Sequence, residues 1–112
     1  MSETASISSG IAARYASAVF DLAKDGKAIA KLETNVDDLA AALDSSAEMR
    51  DLISSPVYSR DVQGAAINAI SKKMKLQPIM ANTLSLMASK RRLFVLPQLV
   101  SQLRDLIAQD KG

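Results

Sequence analysis

The 112-residue sequence has a formal net charge of +2 and contains neither cysteine nor histidine. A chain of this length buries a core without metals or disulfides, and it offers no thiolate ligand and no imidazole base. We therefore expect one soluble domain with no catalytic residue, no metal site and no bound cofactor.

Residues 1–8 are polar and are predicted to form a flexible tail, without the features of a signal or transit peptide. Residues 9–109 carry apolar side chains at helical spacing, which predicts an all-α chain folded as a compact six-helix bundle. The first helix is predicted to end at Gly26. The predicted helices span 9–24, 28–43, a short third helix that starts at a capping box over residues 45–48, a fourth after Ser59, 77–89, and a sixth from Pro97.

The first and fifth helices carry more apolar surface than one contact with a core requires. The sector of the first helix predicted to face the core holds Ile11, Tyr15, Ala18, Val19 and Leu22. A second, adjoining sector holds Ala12, Ala13, Ala16, Phe20 and Ala23. On the fifth helix the core sector holds Ile79, Thr83, Leu86 and Met87, and the second sector holds Met80, Ala81, Leu84 and Ala88.

This surplus has two interpretations. Both helices are central and are covered on two sides by the other four, or their second sectors line an exposed groove that binds an amphipathic helix. Small side chains and methionine suit the second interpretation, because they let a helix backbone come close and adapt to it. The periodicity by itself does not decide between them.

Three segments resemble the delta subunit of bacterial F-type ATP synthase, the counterpart of the mitochondrial oligomycin-sensitivity-conferring protein. They are ARYASAVFDLA (13–23), SPVYSRDVQGAAI (55–67) and ANTLSLMASKRRLFVLPQLVSQLRDL (81–106). The resemblance implies a non-catalytic six-helix domain on top of the catalytic head, where it binds the N-terminal helix of an alpha subunit between its first and fifth helices. As part of the stator, this domain supports proton-driven ATP synthesis at the cytoplasmic face of the bacterial inner membrane, without inserting into the membrane.

The resemblance also implies which residues touch the partner helix. Tyr15 is expected at the rim of the groove, and Lys90 and Arg91 are expected to meet acidic residues of the incoming helix. The family's C-terminal domain, which contacts the b subunits, has no counterpart in this sequence, so we expect a monomer in isolation that lacks this contact. The predicted helix-binding residues are Ala12, Ala13, Tyr15, Ala16, Phe20, Met80, Ala81, Leu84 and Ala88.

These assignments predict that Ala16→Trp blocks the partner while leaving the fold intact, and that Leu39→Asp destroys the fold by burying an unpaired charge. Two other functions stay open. One is a general helix-binding or homodimerising module. The other is a nucleic-acid binder, although the scarcity of aromatic residues for stacking bases argues against it. Its contact residues would be Lys72, Lys73, Lys75, Lys90, Arg91 and Arg92.

Overall fold

The computed structural model describes residues 3–112, and the side chains from residue 7 onward. Within this part of the chain there are six α-helices, one short 3₁₀ helix and no strand, so the predicted all-α bundle is confirmed. The elements are α1 (Glu3–Asp25), α2 (Ile29–Ser45), α3 (Ala47–Ser54), α4 (Arg60–Lys73), α5 (Pro78–Ser89), the 3₁₀ helix (Leu93–Val95) and α6 (Leu96–Lys111).

Helix α1 begins at Glu3, six residues before the predicted start, and so includes most of the predicted tail. Ser8 is buried, and the side-chain amide of Gln102 donates a hydrogen bond of 3.1 Å to the carbonyl of Ser9. These tertiary contacts favour the helix where the polar sequence gives no apolar period. Met1 and Ser2, which belong to the predicted tail, lie outside the described residues.

Local sequence signals fix several helix starts. The hydroxyl of Ser46 accepts a hydrogen bond of 3.1 Å from the backbone N–H of Met49, which caps α3. Ser59 caps α4 in the same way, through the N–H of Val62. Pro78 is the first residue of α5, where its missing N–H costs no hydrogen bond. The predicted starts of α4 and α5 are confirmed, whereas the capping box predicted over residues 45–48 is replaced by a cap at Ser46, one residue later than its first serine.

Three helices end with a basic residue in the left-handed conformation, where glycine is more common. These residues are Lys27, Lys75 and Arg91, with φ of 55°, 56° and 59°. In each case the N–H of the left-handed residue bonds to the carbonyl three residues earlier, and the next N–H bonds to the carbonyl five residues earlier. Helix α1 ends at Asp25, directly before Gly26 as predicted, but the left-handed position is Lys27 rather than the glycine.

Replacing Lys27 with glycine is expected to stabilise the domain. A non-glycine residue in this conformation costs roughly 1–2 kcal/mol, and glycine gives back roughly 0.5–1 kcal/mol through the greater freedom of the unfolded chain. We expect a net gain of up to about 1 kcal/mol in the free energy of unfolding, measured by urea denaturation. The control is Lys31→Gly inside α2, which should cost about 1 kcal/mol. A loss of stability in both variants would contradict this interpretation.

Helices α1 and α6 run in the same direction. Ser9 near the start of α1 bonds to Gln102, and Lys24 at its end forms an ion pair of 2.7 Å with Asp110 at the end of α6. This hydrogen bond to Asp110 raises the pKa of Lys24. The contact between α1 and α6 is the most extensive between any two described helices.

Helix α2 runs antiparallel to α6 on another side. Glu33 and Lys111 form an ion pair of 2.6 Å, and Asp37 lies 3.3 Å from Arg104 one turn further along α2 and nearer the start of α6. These three ion pairs are exposed, so each contributes little to stability. They nevertheless establish the relative direction of α1, α2 and α6.

A buried polar contact sets the direction of α5. The side-chain oxygen of Asn35 in α2 accepts a hydrogen bond of 2.8 Å from the backbone N–H of Gln77, directly before α5. The start of α5 therefore lies beside the first half of α2, which also contacts the end of α6 through the Glu33–Lys111 ion pair. The end of α5 is joined to the start of α6 by the short 3₁₀ helix. It follows that α5 runs antiparallel to both α6 and α1.

The core is made by apolar side chains from all six helices. Leu39 in α2 is fully buried, as predicted, and Ile67 is the central contribution of α4. Helices α4 and α5 pack extensively on each other and form one edge of the bundle. This arrangement leaves α1 between α6 on one side and α5 on the other.

Candidate functional site

Most residues of the two apolar sectors of α1 have the opposite roles from those predicted, although Val19 is buried and Ala13 is exposed as predicted. Ala12, Ala16 and Ala23 are at most 1% exposed and form the core face together with Val19. Leu22, assigned to the core by the sequence, is 57% exposed. The small side chains let the backbone of α1 approach its neighbours closely, so they serve the interior. The prediction that Ala12 and Ala16 line an exposed groove is therefore wrong.

A similar exchange occurs on α5, although Met87 is buried as predicted. Met80, Leu84 and Ala88 are fully buried in the core, so they do not line an exposed surface as predicted. In the sector predicted to be core, Leu86 is 46% exposed and Ile79 is half-buried. Both helices are thus rotated, relative to the prediction, by about the width of one apolar sector. Their surplus apolar surface exists, but it is the other sector that is exposed.

The remaining predicted residues lie on three different sides. Ala13 is exposed and borders a shallow depression between α1 and α6, shared with Ser17 and Gln102. Half-buried Phe20 lies beneath the ammonium group of Lys24, 5.9 Å from the ring centre to Nζ, and Lys24 in turn binds α6. Ala13 and Phe20 therefore face α6 rather than α5.

Ala81 borders a cavity on the α4 side of α5, together with Ser85 and Lys72. Tyr15 is half-buried and lies on the flank of α1 that faces away from α6. It is the one residue of the predicted nine on that flank. The structure therefore does not bring the nine side chains together on one surface.

Helices α1 and α5 contact each other, while α1 also packs against α6 and α2, and α5 against α4. Ala13 and Ser17 mark the α6 side of α1, and Ala81 and Ser85 mark the α4 side of α5, so helical spacing identifies the opposite flank of each helix. Three large apolar side chains of these opposite flanks are exposed: Ile7 (63%), Leu22 and Leu86. We call this region the α1–α5 surface, and its members are Ile7, Ile11, Tyr15, Ala18, Leu22, Ile79, Thr83 and Leu86.

One end of the α1–α5 surface is basic. Lys90 follows Leu86 by four residues and so continues the same flank of α5. Because α5 is antiparallel to α1, this basic end lies where α1 begins. Asp21 and Asp25 lie on α1 towards the opposite end. The surface is therefore apolar along its length, with opposite charges towards its two ends.

Arg91, predicted to meet a partner beside Lys90, is used inside the domain. Its guanidinium donates hydrogen bonds of 2.7 Å to the carbonyl of Tyr58 and 3.3 Å to the side-chain oxygen of Gln63. Half-buried and held by these bonds, Arg91 joins the end of α5 to the start of α4. A partner at the basic end of the α1–α5 surface would meet Lys90 instead.

Comparison with known proteins gives a consistent family. The family model for the ATP synthase delta (OSCP) subunit matches residues 11–112. The chain belongs to the ATP synthase delta (OSCP) subunit family. The ATP synthase subunit delta of Dinoroseobacter shibae is 66% identical over all 112 residues, and those of Jannaschia sp. and Rhodobacter capsulatus are 62% and 60% identical. The chain spans 60% of the length of the first two of these delta subunits.

Two further findings concern membrane crossing and metal binding in this delta-family chain. Among the described residues, no helix combines the length and the hydropathy needed to cross a bilayer. In the same part of the chain, no three His, Cys, Asp or Glu side chains come together in a way that would hold a metal ion.

The reversal of the two sectors generates a stability prediction. Ala16→Trp places a large side chain at a fully buried position, so it should lower the free energy of unfolding by at least about 1–3 kcal/mol. Ala18→Trp, two residues away on the exposed flank, should change it by less than about 0.5 kcal/mol. Urea denaturation followed by circular dichroism measures both. A stable Ala16→Trp domain beside an unfolded Ala18→Trp domain would restore the original assignment of the sectors.

Proposed function

We propose that this chain acts as the N-terminal domain of an ATP synthase delta subunit and binds the N-terminal helix of an alpha subunit on the α1–α5 surface. The observation that carries the proposal is the row of apolar side chains left exposed along two neighbouring helices. In a family of ATP synthase delta subunits, such a surface is suited to an amphipathic helix laid along it. The partner's apolar face would cover Leu22 and Leu86.

The energetics require a surface of this kind. A partner segment that is disordered when free costs about 2–5 kcal/mol to order on binding. Burying a fully exposed Leu or Ile side chain stabilises a complex by about 1.5–3 kcal/mol, and the half-exposed residues of this surface contribute part of that each. Several such contacts offset the ordering cost, whereas a few surface ion pairs would not.

The proposed role is mechanical and non-catalytic. The domain holds the catalytic head against the torque of the rotor, so its function depends on slow dissociation rather than on making or breaking a bond. It acts as a peripheral component at the cytoplasmic face of the bacterial inner membrane, in an enzyme driven by proton transport. We assign contact with the b subunits, which the resemblance places in the family's C-terminal domain, to the part of the delta subunit outside this chain, which spans 60% of the length of its Dinoroseobacter relative.

The distribution of basic residues does not favour nucleic acid as the partner. Lys72, Lys73 and Lys75 precede α5, whereas Lys90 and its two neighbours follow it. A helix of 12 residues, about 18 Å long, therefore separates the two clusters. Two separate clusters, each at a helix end, are typical of cations that stabilise the ends of helices.

Binding of a peptide with the first twenty or so residues of the alpha subunit tests the proposal. Ala18→Trp and Leu86→Asp should each weaken binding at least tenfold, because both alter the α1–α5 surface. Ala13→Trp, on the side of α1 that faces α6, is the matched control and should bind like the unaltered chain. Amide shifts and isothermal titration calorimetry at low and high salt measure the effects, and the apolar contact should persist in salt.

Three outcomes would contradict the proposal. Loss of binding in Ala13→Trp with normal binding in Ala18→Trp would place the partner between α1 and α6. Absence of any shift in a folded, monomeric domain would show that the α1–α5 surface does not bind this peptide, and a concentration-dependent dimer without peptide would identify a second copy as the occupant.

A further inference from the structure

A second exposed apolar site lies at one end of the bundle, where the connection from α3 to α4 meets the 3₁₀ helix. Val57 is 86% exposed and Phe94 is 47% exposed, although both are large apolar side chains. We call the two segments that form this site, residues 55–61 and 89–95, the cationic pole. Monomeric proteins scatter single apolar residues over their surface, but grouped ones with basic neighbours mark an interaction site.

The two segments enclose a preformed cleft. A cavity of about 180 Å³ lies between Pro56 on one side and Leu93 and Phe94 on the other, with Ile53 and Arg91 also lining it. This volume accommodates one or two apolar side chains. The cleft is therefore large enough for an anchoring residue and too small for a folded element.

Hydrogen bonds hold the cleft rigid. Arg91 bonds to the carbonyl of Tyr58, and the side-chain amide of Gln63 donates a bond of 2.9 Å to the carbonyl of Leu52 at the end of α3. The hydroxyl of Tyr58 donates a bond of 3.0 Å to Asp51. A surface fixed in this way loses little entropy when a partner binds.

The charge of the pole indicates the chemistry of its partner. Arg60, Lys90 and Arg92 are exposed, whereas Arg91 is occupied by its internal bonds. Asp61 is the one acidic residue in these two segments. A partner here would therefore carry carboxylates around an apolar side chain.

The pole is continuous with the α1–α5 surface. Lys90 connects the two, because it extends the flank of Leu86 and lies in the second segment of the pole. The 3₁₀ helix that carries Phe94 contacts α1 as well as α5. A chain that leaves the basic end of the α1–α5 surface therefore reaches the pole directly.

We propose that the cationic pole binds an acidic segment that continues from the helix docked on the α1–α5 surface, with one apolar side chain of that segment in the cleft. This inference rests on the proposed function for the identity of the docked helix. The bound segment is a protein chain rather than a nucleic acid, because the cleft accepts an apolar side chain. Tyr58 and Phe94 are the two aromatic residues in the segments of the pole, which is few for stacking bases.

The test uses the 112-residue chain and extended versions of the alpha-subunit peptide. One version carries the extension Glu-Leu-Asp-Glu and the matched control carries Gln-Leu-Asn-Gln, each made separately at either end of the peptide. The acidic extension at one end should tighten binding about fivefold to tenfold at low salt, and 0.5 M salt should remove the gain. The neutral extension should give less than a twofold gain.

Two exposed-residue variants locate the effect. Arg92→Gln and Phe94→Ser should each abolish the gain from the acidic extension while leaving the affinity for the unextended peptide unchanged. Equal affinity of the acidic and neutral extensions at both ends would overturn the inference, as would a gain that survives in both variants. Shifts at the pole caused by phosphatidylglycerol vesicles, with none from the acidic peptide, would overturn it in favour of a membrane.

The same experiment separates this inference from the proposed function. If Leu86→Asp leaves the affinity for the unextended peptide intact, the docking of the helix on the α1–α5 surface is wrong. If, in that case, a free acidic peptide still binds the pole and its affinity falls in the Arg92→Gln variant, the result would support the pole as an independent site. If Leu86→Asp weakens binding but no extension is recognised, the proposed function stands and the inference about the pole fails.

Discussion

The close packing of α1 in the interior is the constraint on which the rest of the structure depends. Ala12, Ala16 and Ala23 let its backbone approach the core, and α6 covers the neighbouring flank. The core face of α1 consists of these alanines and Val19, so Leu22 on the adjoining flank lies at the surface. The exposed apolar boundary is thus a consequence of how the core is packed.

Local chemistry in the sequence predicts much of the fold. The hydroxyls of Ser46 and Ser59 and the ring of Pro78 mark helix starts through interactions with adjacent backbone, so no tertiary information is needed. The burial of Asn35 was not predictable in this way. Its oxygen bonds to the backbone of Gln77, 42 residues away, and this pairing exists only in the folded chain.

The sequence predicts the candidate site on α1 and α5, but most of the side chains assigned to it are buried or face α6 or α4. Two adjacent apolar sectors have nearly equal hydropathy, so a 3.6-residue period does not distinguish a face packed inside from one exposed outside. On α1 the size of the residues carries part of the missing signal, because alanines suit close helix packing, but on α5 the buried sector also holds the large side chains of Met80 and Leu84. The proposed docking surface depends on which sector is exposed.

The most direct measurement of the central claim is a set of intermolecular nuclear Overhauser effects between a methyl-labelled domain and an unlabelled peptide of the alpha subunit's N-terminal residues. The account predicts contacts from the peptide to the methyl groups of Leu22 and Leu86, and none to the buried methyl groups of Leu84 and Met80. Contacts confined to Leu106, beside the depression between α1 and α6, would contradict the assignment of the α1–α5 surface.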